Sequence, residues 1–123
     1  HDPDDYHSDH QAASKIAEAA SWFCTSKGYE TTSPSLPVAP ALWFMDTAQM
    51  LNFEPGFYID ITPYMALKIS MMHCHKSQLS RSGDVPPLAR NIELKAQTRG
   101  MQAGVESAEV FRIAPLMNRI RAW

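Results

Sequence analysis

Two imidazoles and a carboxylate lie close together near the beginning of the 123-residue chain, in the segment Tyr6-His7-Ser8-Asp9-His10. His7 and His10 are three residues apart, which places them on one face of a helical turn. Groups of these types bind zinc and transfer protons near neutral pH. A catalytic zinc ion usually takes three protein ligands, so this set is incomplete. The remaining ligands lie either elsewhere in these residues or on a segment that precedes them.

Two other interpretations compete with a metal site. The rings of His7 and His10 can simply be solvated at the beginning of a helix. The triplet His73-Cys74-His75 also contains ligand types, but residues two apart on a helix point about 200° away from each other and cannot share one ion. We therefore interpret this triplet as a helix end. Of its three residues, only His75 could still reach the metal site.

The elements that must position these groups follow the order α-β-β-α-α-β. Ser8 is predicted as the N-cap of the first helix, and Gln11 completes a capping box three residues later. The predicted elements are a helix from residue 11 to about 23, strands at 41–45 and 57–61, helices at 62–76 and 87–101, and a strand at 106–113. We expect a polar loop at 80–84 and a short helix or tail at 116–123. Helices alternating with strands predict an α/β layer fold.

Apolar residues at helical spacing predict that the first helix packs one face against a sheet. These residues are Ala12, Ala13, Ile16, Ala17, Ala20 and Phe23. Trp43, Phe44 and Tyr58 are predicted as core residues of the strands. If half of the sheet is missing, the same aromatic residues form an exposed patch that favours association.

Composition excludes several classes of protein. The chain is 45% hydrophobic and 20% charged with a net charge of −2, as in an ordinary globular domain. The sequence has no basic stripe of the kind that indicates nucleic acid binding. It also has no apolar run that approaches the roughly 18 residues needed to span a membrane. Cys24 and Cys74 are too few for a disulfide framework. We expect free, buried thiols and a reducing, cytoplasmic compartment.

Four segments in order resemble the LmbE-like, or PIG-L, family of zinc-dependent N-acetylglucosaminyl deacetylases. The first is His7-Ser8-Asp9-His10 before an alanine-rich helix, which resembles the family's His-x-Asp-His motif. The other segments are Phe57-Tyr58-Ile59-Asp60-Ile61-Thr62, then Lys68 with His75-Lys76-Ser77-Gln78, and then Arg99-Gly100, Gly104 and Ala108-Glu109-Val110-Phe111-Arg112. The resemblance covers nearly the whole chain and implies part of a Rossmann-like three-layer α/β/α fold with a mostly parallel sheet, whose N-terminal half is missing.

The family's other motif, Ala-His-Pro-Asp-Asp-Glu, normally lies well upstream and supplies two zinc ligands and the general base. The opening His1-Asp2-Pro3-Asp4-Asp5 has a superficial likeness to it, but no strand precedes it and the His-Pro pair is interrupted. We interpret these residues as part of the loop that leads into the first helix. The resemblance therefore implies that residues 1–123 are the C-terminal portion of a single deacetylase domain.

By motif position, the resemblance makes His10 a zinc ligand. It makes His7 the residue that faces the substrate carbonyl, as an electrophile or general acid, and Asp9 the carboxylate that holds or tunes a histidine. We expect the remaining zinc ligands on a segment upstream of His1.

The resemblance predicts a zinc-dependent hydrolase that deacetylates an N-acetylated amino sugar or its conjugate. As this chain it is incomplete, and a complementary N-terminal segment or a homo-oligomer would supply the rest. Charges on the apolar final strand, Glu109 and Arg112, are expected to be structural, as is Asp60. The alternative from another class is a non-catalytic interaction or binding module that keeps the fold.

Overall fold

The computed structural model describes residues 1–28, 30–79 and 87–114. Its elements are α1 (Ser8–Phe23), β1 (Trp43–Met45), β2 (Phe57–Asp60), a 3-10 turn (Thr62–Tyr64), α2 (Met65–His73), α3 (Lys76–Leu79), α4 (Leu88–Ala103) and β3 (Ala108–Ile113). The predicted order is confirmed, except that the helix expected at 62–76 is broken into the 3-10 turn, α2 and α3. The expected loop at 80–84 and the segment 116–123 lie outside the described residues.

The three strands of the described chain form one sheet with the order β1-β3-β2. β1 and β3 are antiparallel, and Phe44 lies opposite Arg112. On the other side of β3, the Gly56 N–H donates to the Phe111 carbonyl at 2.9 Å and the Ile61 N–H donates to the Ser107 carbonyl at 3.0 Å. As the chain advances along β2, its partners move backward along β3, so this pair is antiparallel as well.

The prediction of a mostly parallel, Rossmann-like three-layer sheet is therefore wrong. Adjacent parallel strands need a crossover that returns the chain to the same edge, usually through one helix. Between β2 and β3 the chain passes through the 3-10 turn and three helices, α2, α3 and α4, and not through a single crossover helix. This longer connection returns the chain antiparallel to β2. Short apolar runs such as 43–45 do not reveal strand direction.

The chain divides into two compact units, and β3 runs through both. The first unit comprises His1–Gly56 and the described chain from Phe111, and the second comprises Phe57–Val110. The first unit buries Phe44, Phe53 and Ala114, and the second buries Ile61, Ala96, Ala108 and Val110. Trp43 and Tyr58, which were predicted as core, are 45% and 37% exposed.

Helix α1 begins one residue earlier than its predicted cap implies. The N-cap is His7, whose Nδ1 accepts a hydrogen bond from the Asp9 N–H at 3.2 Å. Ser8 is the first helical residue. Gln11 does reach back from the first turn, but its side-chain amide donates to the Asp5 carbonyl at 2.6 Å. The predicted capping box is thus replaced by a histidine cap and a bond from Gln11 to the preceding loop.

The predicted buried face of α1 is also wrong. Ile16 is 69% exposed and Phe23 is 55% exposed, whereas the buried residues of the helix are Ser14 and Ser21. These serines are seven residues apart and therefore lie on one face. The buried side of helix α1 therefore carries serines, and the predicted apolar residues Ile16 and Phe23 are exposed.

Both cysteines are free, as expected, but the predicted burial is incomplete. Cys24 is half-buried and Cys74 is exposed. None of the helices in the described chain has the length and apolar character that crossing a bilayer requires.

Candidate functional site

A buried carboxylate organises the loop before α1. Asp5 is 1% exposed, and its Oδ2 accepts from the Ala48 N–H at 2.8 Å. Its Oδ1 accepts from the His7 N–H at 3.1 Å and lies 2.9 Å from the His10 Nδ1. Burial alone raises the pKa of Asp5, but the hydrogen bonds from Ala48, His7 and His10 outweigh it and hold the pKa below its ordinary value of 3.8. The ionised form of Asp5 is therefore the favoured one.

The contact between Asp5 and His10 fixes the ring of the predicted zinc ligand. A carboxylate that accepts a hydrogen bond from Nδ1–H leaves Nε2 as the nitrogen with a free lone pair. Histidines that bind metals usually donate their other N–H to a carboxylate in this way. Asp5 holds His10 in the tautomer and orientation of such a ligand.

His1 provides a third group beside this pair. Ligand atoms of His1, Asp5 and His10 all lie within 4.8 Å of one another, which makes them a group that could hold a metal ion. Imidazole nitrogens suit zinc, whose bonds to them are about 2.0–2.1 Å long. Because Asp5 Oδ1 is engaged with His10 Nδ1, His1 and His10 are the ligand candidates of the group and Asp5 is the carboxylate that orients His10.

The present orientation of His1 does not yet meet the geometry of a chelate. Its ring is stacked on that of His10 with centroids 3.9 Å apart and planes within 4°. Imidazole lone pairs lie in the ring plane, so two stacked parallel rings cannot both point at one ion. Because His1 is exposed, its ring can rotate out of the stack. Asp5 and His10 need no such change to act as an oriented pair.

The structure brings two of the three predicted site residues together. The His7 ring stacks against His10 with centroids 4.8 Å apart, and Tyr6 meets both rings edge-on. Because His7 Nδ1 accepts the Asp9 N–H, the proton of the neutral ring lies on Nε2, which is therefore a donor. Asp9 itself is 87% exposed, with its carboxylate 4.0 Å from His7 Nδ1.

The carboxylate that holds the predicted zinc ligand was missed by the sequence reasoning. Asp9 was expected to hold or tune a histidine, but Asp5 makes the contact with His10. His1 was also missed, because residues 1–5 were interpreted as a connecting loop. The available signal was the run of carboxylates immediately before the histidines, together with a histidine four residues before Asp5.

The remaining segments of the resemblance lie in the second unit, except for Phe111 and Arg112, which belong to the first. Lys68 Nζ lies 2.5 Å from Glu109 Oε1, and both side chains are about one-third exposed. This pair lines an apolar pocket of about 410 Å³ together with Ile61, Tyr64, Leu67 and Met71. Asp60 accepts a hydrogen bond from the Thr62 N–H at 2.9 Å, and bonds from the Thr62 side chain and backbone lower the pKa of its carboxyl.

Comparison with known proteins yields a similarity in fold. No protein-family model and no curated protein matches the chain. Among solved structures, the fold is similar to GalB, the 4-carboxy-2-hydroxymuconate hydratase of Pseudomonas putida KT2440, with a TM-score of 0.73 and 19% sequence identity. The match covers 97% of this chain and 50% of the hydratase, so the chain spans about half of that protein. At this identity the similarity establishes the fold alone.

Proposed function

We propose that this chain supplies part of the active site of a zinc-dependent hydrolase that cleaves the amide bond of an N-acetylated amino sugar or its conjugate. The observation that carries the proposal is the buried Asp5 carboxylate 2.9 Å from His10 Nδ1, with His7 stacked beside it. The resemblance of His7-Ser8-Asp9-His10 to a deacetylase motif supports the choice of reaction. A complementary N-terminal segment, or a second copy of the chain, completes the domain.

In this proposal His10 would hold zinc through Nε2, with Asp5 keeping the ring in place. His1 would be a second ligand once its ring is rotated out of the stack. When bound, zinc would supply a water of lowered pKa and polarise the substrate carbonyl.

His7 acts on the substrate side of this arrangement. Its Nε2–H donates to the carbonyl oxygen, which carries negative charge as the carbonyl becomes tetrahedral. To act as the acid, the ring takes up a proton from water at Nδ1, which ends its bond from the Asp9 N–H, and the cationic ring then gives its Nε2 proton to the amine that leaves. Asp9, 4.0 Å from His7 Nδ1, stabilises the positive charge of that ring through a solvent-exposed contact.

Fold similarity to a hydratase favours a second candidate reaction. The match covers nearly all of this chain with a TM-score of 0.73. Adding water to a carbon–carbon double bond also needs an activated water and a positioned acid, which the same histidines would supply. This candidate changes the substrate from an amide to an unsaturated carboxylate and leaves the roles of His10 and Asp5 intact.

The decisive experiment measures zinc on purified protein by mass spectrometry and isothermal titration. We expect zinc bound in a fixed ratio to wild type and to His75→Ala, and lost in His10→Ala. His75 is an exposed residue of the second unit, which makes it a matched control. If His10→Ala retains zinc, the proposal is contradicted. If wild-type protein binds no metal when zinc is supplied in excess, the result supports a non-catalytic binding module.

The reaction is then decided with two substrates. Acetate release from an N-acetylglucosamine conjugate supports the hydrolase, and loss of the ultraviolet absorbance of a conjugated dicarboxylate supports the hydratase. Either assay is run on the protein with its complementary segment restored. A cytoplasmic, reducing location is part of the proposal and is supported by two free cysteines.

A further inference from the structure

Arg112 is held in one orientation inside the first unit. It lies on β3 opposite Phe44, and its guanidinium carbon lies 5.7 Å from the ring centroid of Phe44 and 5.7 Å from that of Phe53. Aromatic faces attract a planar guanidinium and limit its rotation. Arg112 therefore presents its N–H groups in a fixed direction.

Those N–H groups hold Asp2. Arg112 Nε donates to Asp2 Oδ2 at 2.6 Å and Nη2 donates to Asp2 Oδ1 at 3.0 Å, which is a bidentate pair. Asp2 is fully buried, and the Arg112 side chain is 29% exposed. A more distant contact of 3.6 Å joins Nη2 to the exposed Asp4. Because a buried carboxylate is costly unless it is paired, Asp2 has one stable position.

Asp2 in turn shapes the loop that carries the candidate site. Its Oδ1 accepts from the Asp4 N–H at 2.9 Å, and its carbonyl accepts from the Asp5 N–H at 3.2 Å. These bonds turn the chain between His1 and Asp5. Asp5 is anchored separately by the Ala48 N–H, so the loop is fixed at two of its three acidic residues, Asp2 and Asp5.

We propose that Arg112 is a positioning residue for the candidate metal site, because its pairing with Asp2 sets the loop that places His1 and Asp5 beside His10. The inference rests on the proposed function for its consequence in metal binding. Arg112 is not itself one of the candidate ligands and acts through the loop, by its bidentate pair with Asp2 and its longer contact with Asp4. The pair links residues 110 positions apart in the chain.

The first test measures zinc affinity and the visible absorption of the cobalt-substituted protein. We expect Arg112→Gln and Asp2→Asn to weaken zinc binding by about 10- to 100-fold, the usual effect of losing a partner that orients a ligand. Arg112→Lys keeps the positive charge but lacks the planar guanidinium. Its zinc affinity should therefore lie between that of wild type and that of Arg112→Gln. In the variants that bind zinc more weakly, the absorption bands of bound cobalt should also change in intensity and position, because the ligand geometry changes.

The matched control is Arg90→Gln. Arg90 is a half-exposed arginine that pairs with Glu93 on the surface of α4, in the second unit. Its replacement leaves zinc affinity and the cobalt spectrum as in wild type. Circular dichroism verifies the fold of each variant. If Arg112→Gln unfolds, Asp2→Asn and Arg112→Lys decide the question.

A second readout does not depend on metal. In wild type the stacked rings of His1 and His10 give a nuclear Overhauser contact, and the Ala48 amide exchanges slowly because it is bonded to Asp5. We expect Arg112→Gln to lose the ring contact and to speed exchange at Ala48, while the bonded amide of Ile61 is unchanged. Folded Arg112→Gln that keeps the ring contact, slow Ala48 exchange and zinc affinity overturns the proposal. Should wild type bind no zinc, the proposed function fails and the ring contact alone decides the role of Arg112.

Discussion

His10 Nδ1 lies 2.9 Å from Oδ1 of Asp5, and this contact joins a part-exposed ring to a buried carboxylate. The His10 side chain is 29% exposed and that of Asp5 is 1% exposed. Asp5 also accepts hydrogen bonds from the backbone of His7 and of Ala48, 43 residues away along the chain. The orientation of His10 is therefore set by the packed interior of its unit.

Removing the charge of Asp5 is expected to weaken metal binding. Asp5→Asn has an amide group in place of one acceptor oxygen, so it cannot keep every bond to Ala48, His7 and His10. We predict zinc binding about 10- to 100-fold weaker, measured by isothermal titration. Asp9→Asn is the control, because Asp9 is 87% exposed and holds no candidate ligand in place. Equal losses in the two variants would show that Asp5 has no special role.

The lowered pKa of Asp5 predicts a dependence of stability on pH. The pKa in the folded protein lies below the ordinary value of 3.8. The ionised carboxylate therefore stabilises the fold above that value, and its contribution is lost as the pH falls through the folded pKa. Asp5→Asn lacks this contribution at every pH. We expect wild type to be more stable than Asp5→Asn by about 1–3 kcal/mol at pH 7.

Urea denaturation at a series of pH values checks this expectation. The difference between wild type and Asp5→Asn should shrink below pH 3.8 and remain constant above pH 5. An exposed carboxylate, Glu54, supplies the control variant Glu54→Gln, whose effect stays within about 0.5 kcal/mol. If the difference in free energy of unfolding between wild type and Asp5→Asn persists at pH 2, the amide destabilises the protein by disturbing its packing and not by removing a charge.

Local signals in the sequence predicted the histidine pair but not its carboxylate partner. His7 and His10 are three residues apart, so one helical turn suffices to bring them together. The anchor of Asp5 is the backbone of Ala48, and the anchor of Asp2 is Arg112. Such contacts depend on how distant segments pack, which no spacing along the chain encodes. The nearer carboxylate, Asp9, was therefore given the role of Asp5.

The same limit explains the errors in the fold. Element order follows from periodicity and turn residues, and it was predicted. The direction of β3 relative to β2 depends on how the helices between them, including α2 and α4, lead the chain back to the sheet. The sequence of a short apolar strand does not indicate its direction. The buried face of α1 was predicted wrongly because helical spacing shows which residues share a face, and not which face the rest of the chain covers; Ile16 and Phe23 are exposed.

Gly100 is expected to tolerate no side chain. A Cβ built there would lie 2.6 Å from the carbonyl carbon and oxygen of Glu106 and 2.7 Å from the Ser107 nitrogen. All three atoms belong to the backbone that leads into β3, so relief requires the chain to move. We predict that Gly100→Ala lowers the free energy of unfolding by about 1–3 kcal/mol, the range for overpacking.

Gly28→Ala is the matched control for this steric effect. Nothing lies within 4 Å of a Cβ at Gly28, so we expect a change within about 0.5 kcal/mol. Chemical denaturation followed by circular dichroism measures both variants. Equal stability of Gly100→Ala and Gly28→Ala would mean that the turn after α4 yields without cost.

Ser14 and Ser21 give a paired test of the buried face of α1. Both are buried, at 1% and 6% exposure. The Ser21 hydroxyl donates to the Glu18 carbonyl at 2.7 Å, whereas Ser14 Oγ has no hydrogen-bond partner within the described chain. A buried hydroxyl without a partner costs about 1–3 kcal/mol, and alanine is the better helix former. We therefore predict that Ser14→Ala raises the free energy of unfolding by about 1 kcal/mol.

Ser21→Ala gains the same helix propensity but loses a hydrogen bond worth about 0.5–1.5 kcal/mol, so it should be no more stable than wild type. The two substitutions remove the same atom from the same face of one helix, which cancels most other effects. Urea midpoints at pH 7 compare them directly, with constant slopes verifying that the unfolding remains two-state. If Ser14→Ala proves less stable than Ser21→Ala, the Ser14 hydroxyl has a partner in solution, and an ordered water would be the first to examine.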